Sequence, residues 1–299
     1  MKAFVSKVWA CLLTALATVA TTACTDSMAG DRKDMAKAPR TTIVALDLSD
    51  RIADGQQAEQ DIAAVTQAFQ TFARNVRDDR YIRSNDRFLV TVIPQASTDK
   101  EVERMAATLS IDMAAIPMRQ KLERFKELAA KLPGTIRDIY RKARKPAAAD
   151  YSGANVFKFL NETLPGHVRG GNGDVSLVIL TDGYIELDNP REAFSRAGKT
   201  NHMNRGVMAG LREGDRWRTE QCDFLMIPER LCGKGNDLSR MSVTIVGLSP
   251  KSPYPFETSM VEKIWDSFLD RMKVGKHQII PYAGNNTQVT CRSITEALT

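Results

Sequence analysis

Three features of the 299-residue sequence predict an α/β protein, a three-layer α/β/α sandwich on a mostly parallel central sheet. Three short runs, Ile43–Asp47, Val175–Thr181 and Met241–Leu248, are apolar at nearly every position. A strand apolar on both faces suits a parallel sheet covered on both sides. Segments with helical apolar spacing alternate with these runs, which places helices on the two faces. Finally, two of the runs close on an acid and a turn, Asp47-Leu48-Ser49-Asp50 and Thr181-Asp182-Gly183. Ligands in open α/β sheets bind beyond the carboxyl ends of the strands, so these tips form a candidate site. The competing reading is that Asp47 and Ser49 only make turn and capping hydrogen bonds.

The elements follow in chain order. Residues 1–23 have the pattern of an export signal: Lys2 and Lys7, then the apolar stretch Val8–Ala20, which is short for a membrane span, then small residues. Thr21-Thr22-Ala23-Cys24 resembles the lipobox of bacterial lipoproteins, which implies lipid attachment at Cys24, with Thr21 standing where that family usually has Leu. Plain secretion is the rival. Thr25 brings no acidic inner-membrane retention cue, so the expected location is the cell envelope, periplasmic and anchored in the outer rather than the inner membrane. Residues 24–41 are small, polar and charged, a flexible tether. A domain is expected over 42–284.

Within it, Ile62, Val65, Phe69 and Phe72 mark a helix over Ala58–Arg77, and Arg87–Gln95 reads as a strand. Glu101–Leu109 reads as a helix and Ser110–Ile116 as an edge strand or a loop. Met118–Leu132 and Thr135–Arg144 are helical by pattern, with Pro133-Gly134 expected to interrupt them. This double segment is rich in Lys and Arg, interleaved with Glu123, Glu127 and Asp138 at ion-pairing spacing. Tyr151–Asn155 leads into a helix carrying Val156, Phe157, Phe159, Leu160 and Leu164, followed by a glycine-rich loop over Pro165–Asp174. Residues 187–238 are a long insertion, with a helix start at Asn189-Pro190. Phe256–Met272 reads as a helix and Gln278–Tyr282 as the last strand; residues 285–299 are left as a tail.

The formal charge of +6 includes Lys2 and Lys7 and is not gathered into one arm, which makes a solvated surface the main reading. Cys222 and Cys232 lie in one loop, and in an exported protein a disulfide between them is expected. A zinc site fits poorly, since no second Cys pair or His stands at metal spacing. His167, His202 and His277 are scattered, and there is no P-loop, dinucleotide fingerprint or Gly-x-Ser-x-Gly elbow.

Asp47-x-Ser49, the helix-leading Gly153-Ala154-Asn155 and Leu180-Thr181-Asp182-Gly183 together resemble the von Willebrand factor type A domain. That family carries a metal-ion-dependent adhesion site built on three turns. The resemblance spans roughly Thr41 to Tyr282. It implies Asp47, Ser49 and Asp182 as ligands of Mg²⁺ or Mn²⁺, with Asp50, Ser152 and Asn155 as further candidates, and a protein partner whose acidic group completes the ion's shell. Two positions depart from the family: Arg51 stands where a second serine is expected, and Ala154 where a threonine is. A guanidinium so near opposes a metal and could pair with Asp47 or Asp182 instead, which would leave a degenerate site.

The functional expectation is thus a binding module rather than an enzyme, with a protein rather than nucleic acid as the partner and no small-molecule substrate indicated. One alternative is a Rossmann-like hydrolase or phosphatase using Asp47. That chemistry wants an acid/base carboxylate two residues on, where this chain has Ser49. The other alternative is a basic surface for envelope polymers or nucleic acid, which lacks interleaved stacking aromatics.

Overall fold

A computed structural model describes residues 38–299 apart from 79–82, 97, 148–149, 169–172, 188, 221 and 234–235. The expected leader, Cys24 and most of the tether lie outside the described residues. The central sheet has six strands: β1 (Arg40–Leu46), β2 (Arg87–Val92), β3 (Ile111–Asp112), β4 (Asp174–Leu180), β7 (Met241–Leu248) and β8 (Lys276–Pro281). Their order is β3-β2-β1-β4-β7-β8. All neighbours pair in parallel except β2 with the two-residue β3, which is the edge strand at 110–116 in its shortest form.

Alternation along β1 divides the core between the two faces of the sheet. Ile43 and Ala45 join a cluster with Phe159 and Leu160, and with Ile264, Trp265 and Phe268 of α7 (Glu257–Met272). Val44 and Leu46 join a second cluster with Val65, Phe69 and Phe72 of α1 (Gly55–Asp78) and Phe125, Leu132 and Ile136 of α3 (Lys121–Ala143). A strand packed on both sides has no polar face to offer, which explains the unbroken apolar run. Helix α2 (Lys100–Ala107), capped by Asp99, lies on the α1 side through Val102 and Ala106. On the other side α4 runs over residues 156–168, with a π-turn at Phe159–Thr163. The helix therefore extends three residues past Pro165, into the stretch expected as loop.

Two further expectations change. The segment expected to break at Pro133-Gly134 is one helix, with Pro133 inside α3. The buried stripe Phe125, Leu128, Leu132, Ile136, Ile139, Tyr140 crosses the proline without a shift in phase. Ala129, whose carbonyl loses its donor at Pro133, is on the exposed side, where water can replace the bond. The residues left as a tail form α8 (Thr287–Leu298), which lies on α1: Gln60 Nε2 donates to Thr290 Oγ1 at 2.6 Å, and Gln67 Nε2 to Thr295 Oγ1 at 2.7 Å.

The insertion carries a small hairpin, β5 (Ser195–Arg196) and β6 (Lys199–Thr200), then α5 (Arg205–Arg212) and α6 (Glu229–Cys232). Asn189-Pro190 does open a helix, a single 3₁₀ turn over Pro190–Glu192. Met208, Leu211, Trp217, Leu225 and Leu231 extend the core cluster on the α7 side. The expected Cys222–Cys232 disulfide is not formed: both thiols are free. Cys222 is buried in that cluster with its Sγ 3.8 Å from the Trp217 carbonyl, and Cys232 closes α6. Burial raises the Cys222 thiol and pushes Cys232 up to about 11, so neither sulfur is a ready thiolate. Among the described residues no helix is long and apolar enough to cross a membrane.

A proline inside an otherwise satisfied helix predicts that Pro133→Ala stabilises the domain, by up to about 3 kcal/mol. Urea unfolding followed by circular dichroism measures this, and an unchanged or lower midpoint would count against the continuous helix.

Candidate functional site at the carboxyl edge of the sheet

Register assembles the site. Leu46 pairs with Leu180 and Leu180 with Val246, so the next residues, Asp47, Thr181 and Gly247, form one row at the carboxyl edge. Backbone rungs continue through that row: Asp47 N–H donates to the Leu180 carbonyl and Thr181 N–H to that of Val246, both at 3.0 Å. The two acid-tipped strands are therefore neighbours, as the sequence required.

Asp47 is fully buried, and both of its carboxylate oxygens are engaged. Oδ1 accepts the Ser49 N–H at 2.8 Å and Oδ2 accepts the Thr181 hydroxyl at 2.8 Å. Asp182 is 2% exposed, and its Oδ1 accepts the Tyr184 N–H at 3.0 Å. Gly183 between them has φ +95°, and a Cβ there would stand 2.8 Å from Leu248. Trp265 Nε1 donates to the Gly183 carbonyl at 2.8 Å, fixing the turn from below.

Arg51 does not pair with Asp47 or Asp182 side chains, as the sequence reading allowed. Its guanidinium grips Asp61 of α1 with two bonds, Nη1 to Oδ2 at 2.5 Å and Nη2 to Oδ1 at 3.0 Å. Tyr140 of α3 donates to the same Asp61 Oδ2 at 2.7 Å, and Arg51 Nη1 reaches only the backbone carbonyl of Asp47, at 3.3 Å. The reason is local: Arg51 sits in the 3₁₀ turn Asp50–Ala53 directly before α1, and Asp61 faces back toward it from that helix. Glycine is required above it, because a Cβ on Gly247 (φ +91°) would come within 2.8 Å of Arg51 Nη2. Burial pushes the Tyr140 hydroxyl well above its usual range, with the Asp61 charge second, so it acts as a donor only.

The cation facing Asp182 is Lys251, in the turn after β7. Its Nζ lies 2.9 Å from Asp50 Oδ1, 2.8 Å from Glu186 Oε2 and 3.1 Å from Asp182 Oδ2. The ammonium also stands 5.5 Å from the Tyr184 ring centre. Burial, then the charge of Asp47, raises the Asp182 carboxyl to about 7. The acids around Lys251 hold its ammonium well above the ordinary lysine range, against the opposing effect of burial. Sequence reasoning missed Lys251, Glu186 and Asp61. The available signal was that the turn after β7 must lie beside the turn after β4 if those strands are neighbours.

The remaining candidates are placed nearby but do not join the carboxylates. Asn155 N–H donates to the Pro94 carbonyl at 3.0 Å, which brings its turn to the end of β2. Asn155 Oδ1 caps α4 by accepting the Lys158 N–H at 2.8 Å, and Nδ2 donates to Glu192 Oε2 at 2.8 Å. Ser152 contributes its carbonyl to Gln95 Nε2 at 3.2 Å. Gly153 touches the third turn, since a Cβ there would lie 2.9 Å from the Glu186 carbonyl oxygen. A cleft of about 120 Å³ runs between Gln95, Asn155, Lys158 and Glu192.

This donor set does not fit Mg²⁺ or Mn²⁺. Asp47 and one oxygen of Asp182 already accept protein hydrogens, and the other Asp182 oxygen faces an ammonium. Contacts of 2.8–3.1 Å around Lys251 Nζ are ammonium distances, whereas Mg²⁺ takes oxygens at about 2.0–2.1 Å. Among the described residues no group of three or more His, Cys, Asp or Glu is arranged to hold a metal ion.

No family model matches the chain, and no curated protein sequence matches it. Among solved structures it is similar to an aerotolerance-related membrane protein from Bacteroides fragilis NCTC 9343, with 11% identity over 86% of this chain and 98% of that one, at a TM-score of 0.38. It is also similar to the pilus adhesin SpaC from Lactobacillus rhamnosus GG, with 10% identity over 87% of this chain and 30% of the adhesin, at a TM-score of 0.42.

Removing one partner of a buried ion pair leaves the other charge uncompensated. Arg51→Ala should therefore cost about 3–5 kcal/mol in equilibrium unfolding. A loss below about 1 kcal/mol, the scale of an exposed pair, would contradict the role given to the Arg51–Asp61 pair.

Proposed function

We propose that this chain is an exported binding module of the von Willebrand factor A type, held to the envelope by a lipid on Cys24, that contacts a protein partner over the carboxyl edge of its sheet. The observation that carries the reading is the convergence at one edge of three turns bearing Asp47, Asp50, Asp182, Glu186 and Lys251. The meeting of the acid-tipped turns after β1 and β4 at one edge supports this reading. Residues 24–41 serve as the tether and the insertion flanks the contact surface: Glu192 reaches Asn155, and Arg212 reaches Glu257 beside Tyr184.

Hydrolysis at Asp47 is the weaker reading, because that carboxylate is buried with both oxygens committed and Ser49 holds the acid/base position. A basic polymer-binding face is weaker too. On and beside α3, Arg124, Arg137, Arg141 and Lys142 face Glu127, Glu59, Asp138 and Glu101, the pattern of a solvated, internally paired surface.

A photo-crosslinking residue at Ser252, beside the crevice, should capture a discrete protein adduct in the native envelope. The same residue at Lys273, which precedes β8 at the opposite edge, should not. Equal capture at both positions, or none at either, would reject the surface. Metabolic labelling with a palmitate analogue should mark the chain and be lost in Cys24→Ala; label that persists in that variant would reject the anchor.

A further inference from the structure

We infer that the Lys251 ammonium is the resident cation of this crevice and stands in place of a divalent ion, so that recognition at this edge is independent of metal. Comparison with a metal site rests on the type A reading, but the geometry of the lysine does not. Lys251 donates to Asp50 Oδ1 and Glu186 Oε2, and so ties the turn after β1 to the turn after β4. The third acid shows why a cation is needed. Asp182 Oδ2 is buried and accepts no hydrogen bond, and the Lys251 ammonium 3.1 Å away is its ion-pair partner. A buried carboxylate oxygen with no donor and no counter-ion is costly.

The lysine is also held in place. Its backbone N–H donates to the Tyr184 hydroxyl at 3.2 Å, and that hydroxyl donates to Glu257 Oε1 at 2.6 Å. Glu257 is clamped by Arg212 of the insertion through Nε at 2.8 Å and Nη2 at 2.6 Å. The Lys251 side chain is 25% exposed and Asp182 only 3%, so the ammonium covers the acid from the solvent side. A partner carboxylate approaching this edge would meet a lysine already bonded to two acids, not a metal with an open position. The insertion thereby gains a role, because it fixes the backbone that delivers the cation.

The test is a titration of Mn²⁺ into the purified full chain, followed by the electron paramagnetic resonance signal of the free aqueous ion. Wild type should leave the signal unchanged. Lys251→Ser removes the ammonium and leaves Asp50, Asp182 and Glu186 free to close on an ion that they are not arranged to hold at their present spacing; it should deplete the signal, and Lys251→Ser with Asp182→Asn should not. Lys251→Arg, which keeps the charge, should behave as wild type. Wild-type depletion that disappears in Asp182→Asn overturns the inference, as does a folded Lys251→Ser that binds no Mn²⁺. If Lys251→Ser fails to fold alone, recovery of its circular dichroism in millimolar Mn²⁺ supports the inference, and no recovery overturns it. No partner enters this titration, so its failure leaves the crosslinking result standing, and the reverse holds.

Discussion

The parallel, in-register pairing of β1 with β4 is the constraint on which the rest depends. Because Leu46 stands opposite Leu180, the chain leaves both strands at the same level, and the polar residues that follow meet. Both strands are closed in by apolar side chains on both faces. A slip of one residue would exchange those faces and separate the turns, so burial enforces the alignment. The Asp47–Thr181 hydrogen bond is then a consequence of core packing rather than an independent contact.

Bringing buried acids together raises the question of how their charge is tolerated. Each acid is given its own solution. Asp47 is satisfied by an amide and a hydroxyl, Asp61 by a two-pronged arginine and a tyrosine, and Asp182 by an amide and the Lys251 ammonium. Each of the three draws a partner from another turn or helix. The electrostatics at this edge therefore reinforce the tertiary structure: α1, α3 and the turns after β1, β4 and β7 are all cross-linked by it.

The insertion contributes on the opposite face to α1. Its apolar residues complete the core under α4 and α7, while Arg212 and Glu192 reach the ends of the turns that frame the crevice. A connection of this length inside a compact domain needs a packing role or a functional one, and here the same segment has apolar anchors below and polar contacts at the rim.

Sequence alone determined the layered α/β class, the three core strands, the main helices and the two acid-tipped turns, because apolar periodicity and turn chemistry are local properties of the chain. Pro133 misled a local reading, since the apolar stripe on both sides of it outweighs one lost backbone bond. The free thiols of Cys222 and Cys232, the helix at 287–298 and the partners of Arg51 depended on which elements pack together. Asp61 lies ten residues beyond Arg51, and Lys251 lies sixty-nine beyond Asp182. No spacing rule joins such pairs, and only the strand order and the burial of each charge, which come from the folded chain, decide them.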